Sequence, residues 1–348
     1  MIEAFHRFQS LPPADRRDVF AAAAVRLDTM AAYIEKDLWV CFVLDLLYHR
    51  LPGGLHGMLF KGGTSLSKAF GLIKRFSEDI DIVIDRAGLG FEGEGDPANP
   101  ESRLSGKKRA QRFDELKAAC STYVLGDLRE AIEAALGRHA PACRMDRDPD
   151  DPDAATLLIE YPTLYPAADL SYVRPRVKIE CGARSAMDPA CPCAVTPYIA
   201  GELGGWALKV EGIAAIRPER TYLEKLLILH GAFCGQRDEG RLPADTDRLS
   251  RHYYDVALMT ATNTGRAALA DHALLAAVRD HNLAAFRQAW KRFDEATPGT
   301  IHVVPQPALR SAVEKDYAAM QGMIHGEAPG FPWIMEQLTA AEAIVNGD

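Results

Sequence analysis

The sequence predicts an α+β protein in which a small mixed sheet with flanking helices precedes a C-terminal helical bundle. Three observations carry that expectation. Strand-like runs are confined to the middle of the chain, at 58–60, 77–84, 156–161, 174–181 and 194–200. The text before them and the text after Pro218 space their apolar residues with a helical period. The 348 residues suit two or three packed subdomains around a sizeable core. We expect a helical segment over 1–55, a mixed core over 56–205 and a helical domain over 206–348.

Taken in order, residues 14–50 read as helical, with Asp15 placed as a cap and an apolar run at Val40–Leu47. A strand at Met58–Phe60 leads into a Gly62-Gly63-Thr64-Ser65 turn, a helix near Leu66–Ile73 and a strand that begins with Ser77-Glu78-Asp79-Ile80-Asp81. Gly and Pro make 87–103 a loop. Helix follows over 104–138, with Phe113, Leu116, Tyr123, Leu128 and Ile132 on its apolar side. The acidic run 146–154 lacks the Gly and terminal Glu of a calcium loop and reads as a solvated turn. Strands then fall at Thr156–Tyr161, Arg174–Cys181 and Ala194–Ala200. Helices are expected at 219–235, 246–261, 265–278, 281–295 and 308–324, with Pro218 suited to a first turn.

Composition is that of a soluble globular protein, 48% hydrophobic and 25% charged. No apolar run approaches the roughly 20 residues that span a bilayer, and the opening text lacks a secretory profile. The seven cysteines show no metal-ligand spacing, and Cys191-Pro-Cys193 is too tight for a zinc knuckle. A reduced, cytoplasmic protein with no membrane partner is expected. The net charge of −8 argues against a dedicated nucleic-acid scaffold, but not against a local patch. Lys107, Lys108, Arg109 and Arg112 form the candidate patch, with a solvated helix face as the plainer alternative.

The densest chemistry lies in KGGTSLSKAFGLIKRFSEDID, residues 61–81. Gly62 and Gly63 let backbone approach phosphate, and Thr64 and Ser65 add small hydroxyls at a helix start. Strand residues i and i+2 share a face, so Asp79 and Asp81 can share a Mg²⁺ while Ile80, Ile82 and Ile84 face a core. Each half alone is commonly a plain turn or a solvent-facing strand; the order and spacing of the two make the signal. A third carboxylate would come from Glu180, whose face also carries Arg176 and Lys178, or from Glu160. Lys225 suits a β- or γ-phosphate, or else a surface ion pair. Arg248, Arg251 and Asp255 fall along one helical face that could meet phosphate, and Tyr253 or Tyr254 could stack on a base. An ordinary ion-pair ladder is the alternative. His230 reads as a core histidine.

These blocks together resemble the AbiEii-type, MenT-like branch of the nucleotidyltransferase superfamily, toxins of toxin–antitoxin and phage-exclusion systems. The resemblance runs through Glu35-Lys36-Asp37 with Trp39, Lys61–Lys68, Ser77 with Asp79 and Asp81, Lys178 with Glu180, Glu224-Lys225, and Arg251–Asp255. A weaker echo lies at Lys315-Asp316-Tyr317 and Met320. It implies a nucleotidyltransferase-like fold with Asp79 and Asp81 as metal acids and Lys225 and Asp255 as further catalytic residues. Lys61, Gly62, Gly63, Thr64, Ser65, Lys68, Ser77 and Arg251 would bind nucleotide. Glu180, the third metal candidate, stands where many nucleotidyltransferases carry Asp. The implied reaction is Mg²⁺-dependent transfer of NMP from an NTP to an acceptor hydroxyl, the tRNA 3′ end in characterised relatives, under control of a cognate antitoxin. Phosphorylation of Ser77 would set extra negative charge beside Asp79 and disable the site. Competing readings are a protein or small-molecule acceptor, or a non-catalytic NTP-binding regulator.

Overall fold

Three helices open the chain, α1 (Ile2–Gln9), α2 (Pro13–Leu27) and α3 (Ala31–His49). The helix expected over 14–50 is thus two, because Asp28 takes a left-handed conformation at φ +49° and ends α2. The computed structural model describes residues 1–166, 174–244 and 248–347. These group into two units. One holds Met1–Phe70, Phe76–Glu92 and Gly106–Ala215; the other holds Gly71–Arg75, Gly93–Ser105 and Ile216–Asp348. Among the described residues no helix is long and apolar enough to cross a membrane.

The first unit carries the sheet. Its strands are β1 (Met58–Lys61), β2 (Asp79–Ile84), β3 (Arg144–Arg147), β4 (Thr156–Glu160), β5 (Arg176–Gly182), β6 (Ala190–Val195) and β7 (Val210–Ile216), in spatial order β3-β4-β5-β2-β1-β7-β6. Pairing is mixed: β2 runs antiparallel to β1 and parallel to β5. Between β1 and β2 the chain makes a one-turn α4 (Gly62–Thr64) and a wide π turn over Ser65–Ala69, closed by Phe70 N–H to the Ser65 carbonyl at 3.2 Å. The helix expected to reach Ile73 therefore stops at Ala69. Helices α5 (Gly106–Tyr123) and α6 (Arg129–His139) flank a second π turn, Val124–Leu128, within the helical stretch expected at 104–138. The strand expected at Ala194–Ala200 lies earlier in the chain, since a short helical turn occupies Tyr198–Gly201. Strands β3 and β7 were not anticipated. RMDR is short and polar, and VEGIAAI is interrupted by Gly212 at φ +69°.

The second unit is helical: α7 (Pro218–Glu239), α8 (Ser250–Thr260), α9 (Asn263–Ala270), α10 (His272–Ala285), α11 (Pro307–Met320) and α12 (Phe331–Asn346). Helix α7 packs on α8, α9 and α10, while α11 and α12 pack on α8. The helices expected at 265–278 and 281–295 are replaced by α9 and α10. The break is at Asp271, whose carboxylate accepts the Leu274 N–H at 2.9 Å and so caps α10. The helix expected from 246 begins at Ser250; residues 245–247 lie outside the described residues. His230 is buried, as expected, and its Nδ1 accepts the His302 N–H at 3.2 Å.

Helix α3 is buried along its whole length from Ala32 to Leu47, including three consecutive charges. Burying a charge is costly unless it finds partners, and each of the three finds a different segment. Glu35 accepts the Thr163 hydroxyl at 2.5 Å and the Leu164 N–H at 2.9 Å. Lys36 pairs with Glu78, just before β2, and donates to the Arg174 carbonyl at 3.2 Å, just before β5. Asp37 accepts the Tyr198 N–H at 2.7 Å and pairs with Lys68 of the π turn at 2.6 Å. Burial pulls the Lys68 ammonium down, but Asp37 outweighs it and the net shift is upward. Replacing Asp37 with Ala is expected to cost about 3–5 kcal/mol, because it strands a buried ammonium. Urea unfolding checks this. Asp37→Leu combined with Lys68→Met should recover most of the loss, and a single variant as stable as the parent would show the pair to be dispensable.

Candidate active site

The acids sit where period-two spacing puts them. Asp79 and Asp81 are half-buried on one face of β2, and Ile80, Ile82 and Ile84 are buried in the core. Register supplies their neighbours. Asp81 lies opposite Lys61 on β1 and Glu180 on β5, and Asp79 lies opposite Lys178. Residues paired in this way share a face roughly 4.8 Å apart. Glu160 pairs with Arg176 on the far side of β5 from β2, so the register favours Glu180 as the third carboxylate. Glu180 is nonetheless engaged: its Oε1 lies 2.7 Å from Lys178 Nζ. Among the described residues no three His, Cys, Asp or Glu side chains converge as a ready metal cage. Lys178 is held from its other side by Asp148 at 3.3 Å. Asp148 is buried, so the 146–154 segment is a built support at that point rather than a solvated turn throughout.

Burial pushes Asp79 up to about 6, helped by the nearby carboxylates of Glu180, Glu78 and Asp81 and opposed by Lys178. Negative charge thus exceeds its compensation on this face. That donor set, hard oxygens with charge to spare, fits a hard divalent cation such as Mg²⁺.

The glycine turn is built against these acids. Gly62 has φ +80°, and a Cβ there would stand 2.0 Å from Asp81 Oδ2, so no other residue fits without moving the carboxylate. Gly63 follows it, half-buried. Thr64 is buried, with Oγ1 donating to the Asp79 carbonyl at 2.5 Å and lying 2.9 Å from Ser77 Oγ. Ser65 Oγ donates to the Gly62 carbonyl at 2.9 Å. Both hydroxyls therefore brace the turn. Lys61 Nζ donates to Ser185 Oγ at 2.7 Å. Lys68, expected among the nucleotide ligands, is committed elsewhere. Besides Asp37 it donates to the Thr196 carbonyl at 2.9 Å and lies 3.5 Å from the centre of the Tyr198 ring.

The second unit holds a buried charge cluster of its own. Asp255 is fully buried and receives Lys225 Nζ at 2.9 Å and the Arg75 guanidinium. Burial works against its charge, but Arg75 and Lys225 outweigh that and hold the carboxyl well below the usual range. Burial lowers Lys225, with Asp255 opposing and Arg75 assisting. His252 Nδ1 lies 3.4 Å from Lys225 Nζ, and burial, then Lys225, drive the imidazole far down, so it is neutral at pH 7. Arg251 is half-buried, and its buried Nε has no hydrogen-bond partner among the described residues.

Several expectations for this segment change. Lys225 is a buried residue rather than an edge or surface one. Arg248 precedes α8 with φ +45° and so does not extend the helical face of Arg251 and Asp255. Tyr253 and Tyr254 are both 1% exposed, which removes them as base-stacking platforms. The late Lys315–Met320 block is structural here. Asp316 Oδ2 accepts the Ser250 N–H at 2.7 Å at the start of α8, and Tyr317 donates to the Pro329 carbonyl at 2.7 Å. Sequence reasoning gave no role to Arg75, His252 or Asp148; Arg75 stood in the quoted RFSEDID text, but its partner is 180 residues away. Of the basic patch, Lys107 and Lys108 are exposed, while Arg112 pairs with Glu115 and covers Phe91.

The mixed sheet thus presents paired carboxylates beside a glycine turn, the arrangement expected of a nucleotidyltransferase. The sequence profile of "Nucleotidyl transferase AbiEii toxin, Type IV TA system" matches residues 45–337, and the chain belongs to that family. It is accordingly a nucleotidyltransferase toxin of a type IV toxin–antitoxin system. Among solved structures it is similar to MenT4, a nucleotidyltransferase toxin from Mycobacterium tuberculosis H37Rv, at 14% identity and a TM-score of 0.45, over 94% of this chain and 98% of that one. No curated protein sequence matches.

Two tests follow from the acid face. Gly62→Ala should displace Asp81, and a misplacement near 1 Å lowers turnover by about 10²-fold; unchanged turnover in the folded variant would show that Asp81 tolerates the shift. The second concerns Asp79. Its carboxyl holds a proton more tightly in the folded chain than in the unfolded one, so ionising it costs stability as pH rises towards about 6. Metal-free Asp79→Asn should therefore melt above the parent at pH 8, with the gap narrowing as pH falls from 6 towards 4. A gap independent of pH would contradict the assignment.

Proposed function

We propose that the protein transfers NMP from an NTP to the 3′ end of a tRNA, with Mg²⁺ held by Asp79 and Asp81 and with Glu180 recruited as third ligand when Lys178 releases it. One observation carries the reading: two same-face carboxylates with excess negative charge abut the left-handed Gly62 turn. The cation, when bound, neutralises phosphate charge and orients the reacting oxygens. Backbone of Gly62–Ser65 receives the triphosphate, and Lys61 borders the turn. Within the helical unit, Lys225, held by Asp255, and Arg251 offer positive charge suited to phosphate. The acceptor oxygen forms a new ester bond to the α-phosphorus, its proton is lost, and pyrophosphate departs with the broken P–O bond. Positioning and charge neutralisation supply the rate enhancement. Lys68 has no place in this scheme. Ser77, 2.9 Å from Thr64 Oγ1, is a site where a phosphoryl group would disrupt both turn and strand. Family membership supports an NTP substrate, an antitoxin partner and a cytoplasmic setting; exposed Lys107 and Lys108 are compatible with an RNA acceptor.

The test is incubation with Mg²⁺, each α-labelled NTP and total bacterial RNA, beside Asp79→Ala/Asp81→Ala. Label in the tRNA band, reduced about 10³-fold or more in the variant, is the expected result. Label on protein or on a small molecule would keep the site and replace the acceptor. Incorporation that survives both substitutions would overturn the assignment of the acids.

A further inference from the structure

We propose that Arg75 is a positioning residue that fixes Asp255 and leaves the Lys225 ammonium electrostatically uncompensated, so that the cluster attracts the nucleotide's triphosphate. The inference rests on the phosphate-binding role given to Lys225 above. Arg75 Nε donates to Asp255 Oδ1 at 2.7 Å, and its Nη2 donates to Oδ2 at 2.8 Å. The same Oδ2 lies 2.9 Å from Lys225 Nζ. One carboxylate thus serves two cations, and the trio retains one net positive charge in a buried setting. A lone Lys225–Asp255 pair would instead be neutral and closed on itself.

The geometry explains why an arginine is used. Its planar fork meets both carboxylate oxygens and fixes the orientation of the Asp255 side chain, which a lysine's single ammonium cannot do. Asp255 so oriented presents Oδ2 to Lys225. The Lys225 ammonium has three N–H bonds; one points to Asp255 and one to neutral His252, which leaves a third without a protein acceptor among the described residues. Arg251 adds a buried Nε without a partner among the same residues. Buried donors of this kind are costly unless a ligand satisfies them, and an anion with several oxygens satisfies both donor types. Arg75 is itself pinned, by a β-bridge to Ile324 and by the His325 N–H to the Lys74 carbonyl at 2.8 Å.

Steady-state kinetics of four folded proteins test the proposal, with folding checked by thermal melting and near-ultraviolet circular dichroism. Arg75→Met should raise the KM for NTP about tenfold or more, with a smaller effect on kcat, since it removes the uncompensated charge. Arg75→Lys restores charge without the fork and should recover most of the KM but not the kcat. Arg75→Met/Asp255→Asn removes both partners, which keeps the fold accessible if the single variant fails. It returns one net positive charge, so its NTP KM should fall below that of Arg75→Met while kcat drops with the loss of Lys225 positioning. Lys225→Met is the control for the underlying reading. Raised NTP KM in Lys225→Met, with parental KM in Arg75→Met, or, where that variant does not fold, with parental kcat in the double variant, would overturn the role of Arg75 alone. Parental NTP KM in Lys225→Met would overturn the phosphate-binding reading itself.

Discussion

The first unit depends on three charges buried in a row. Glu35, Lys36 and Asp37 lie in a helix that is otherwise almost wholly apolar, where unpaired charge would be prohibitive. Successive helical residues point about 100° apart, so the partners must come from different directions. They do: the loop after β4, the segments leading into β2 and β5, and the π turn after β1. The helix thereby converts an electrostatic necessity into a spatial specification for the strand that carries the acids and the turn that faces them. The N-terminal helices consequently group with the sheet.

The two units carry opposite electrostatic imbalances. On the sheet, Asp79 is pushed up by carboxylates that Lys178 only partly offsets. In the helical unit, Asp255 is held down by two cations, and Arg251 adds a third positive charge nearby. The first imbalance asks for a metal cation and the second for a polyanion. Each imbalance is local to its own unit. A protein whose net charge is −8 can hold a polyanion through such local arrangements without being basic as a whole.

What the sequence made legible were features with local period. The β2 alternation, the Gly62 turn and the shared face of Lys178 and Glu180 can be read from spacing, because side-chain direction in a strand repeats every two residues. The pairing that sets Glu180 beside Asp81 comes instead from the register. What stayed hidden were long-range partners. Lys68 looked like part of a phosphate-binding turn, and only the position of Asp37, 31 residues earlier, shows that it is used for folding. Tyr253 and Tyr254 looked like stacking residues, yet their burial depends on helices far along the chain. Arg75 gave no signal because its meaning comes from Asp255. Short polar β3 and Gly-interrupted β7 lack the pattern that identifies strands, while the left-handed Asp28 and the capping Asp271 break helices where the apolar period continues.

The wide turn at Ser65–Ala69 bears on how this segment can vary in length. Its closing bond joins residues five apart rather than four, so the turn holds one residue more than an α-helical turn would. Deleting a single residue would let it relax to ordinary helix, a change that costs little in backbone hydrogen bonding. It would also rotate Lys68 by about 100° about the axis, away from Asp37. The segment is therefore fixed in length by charge rather than by helix propensity. A variant one residue shorter can keep its secondary structure and still lose the anchor beneath the Gly62 turn.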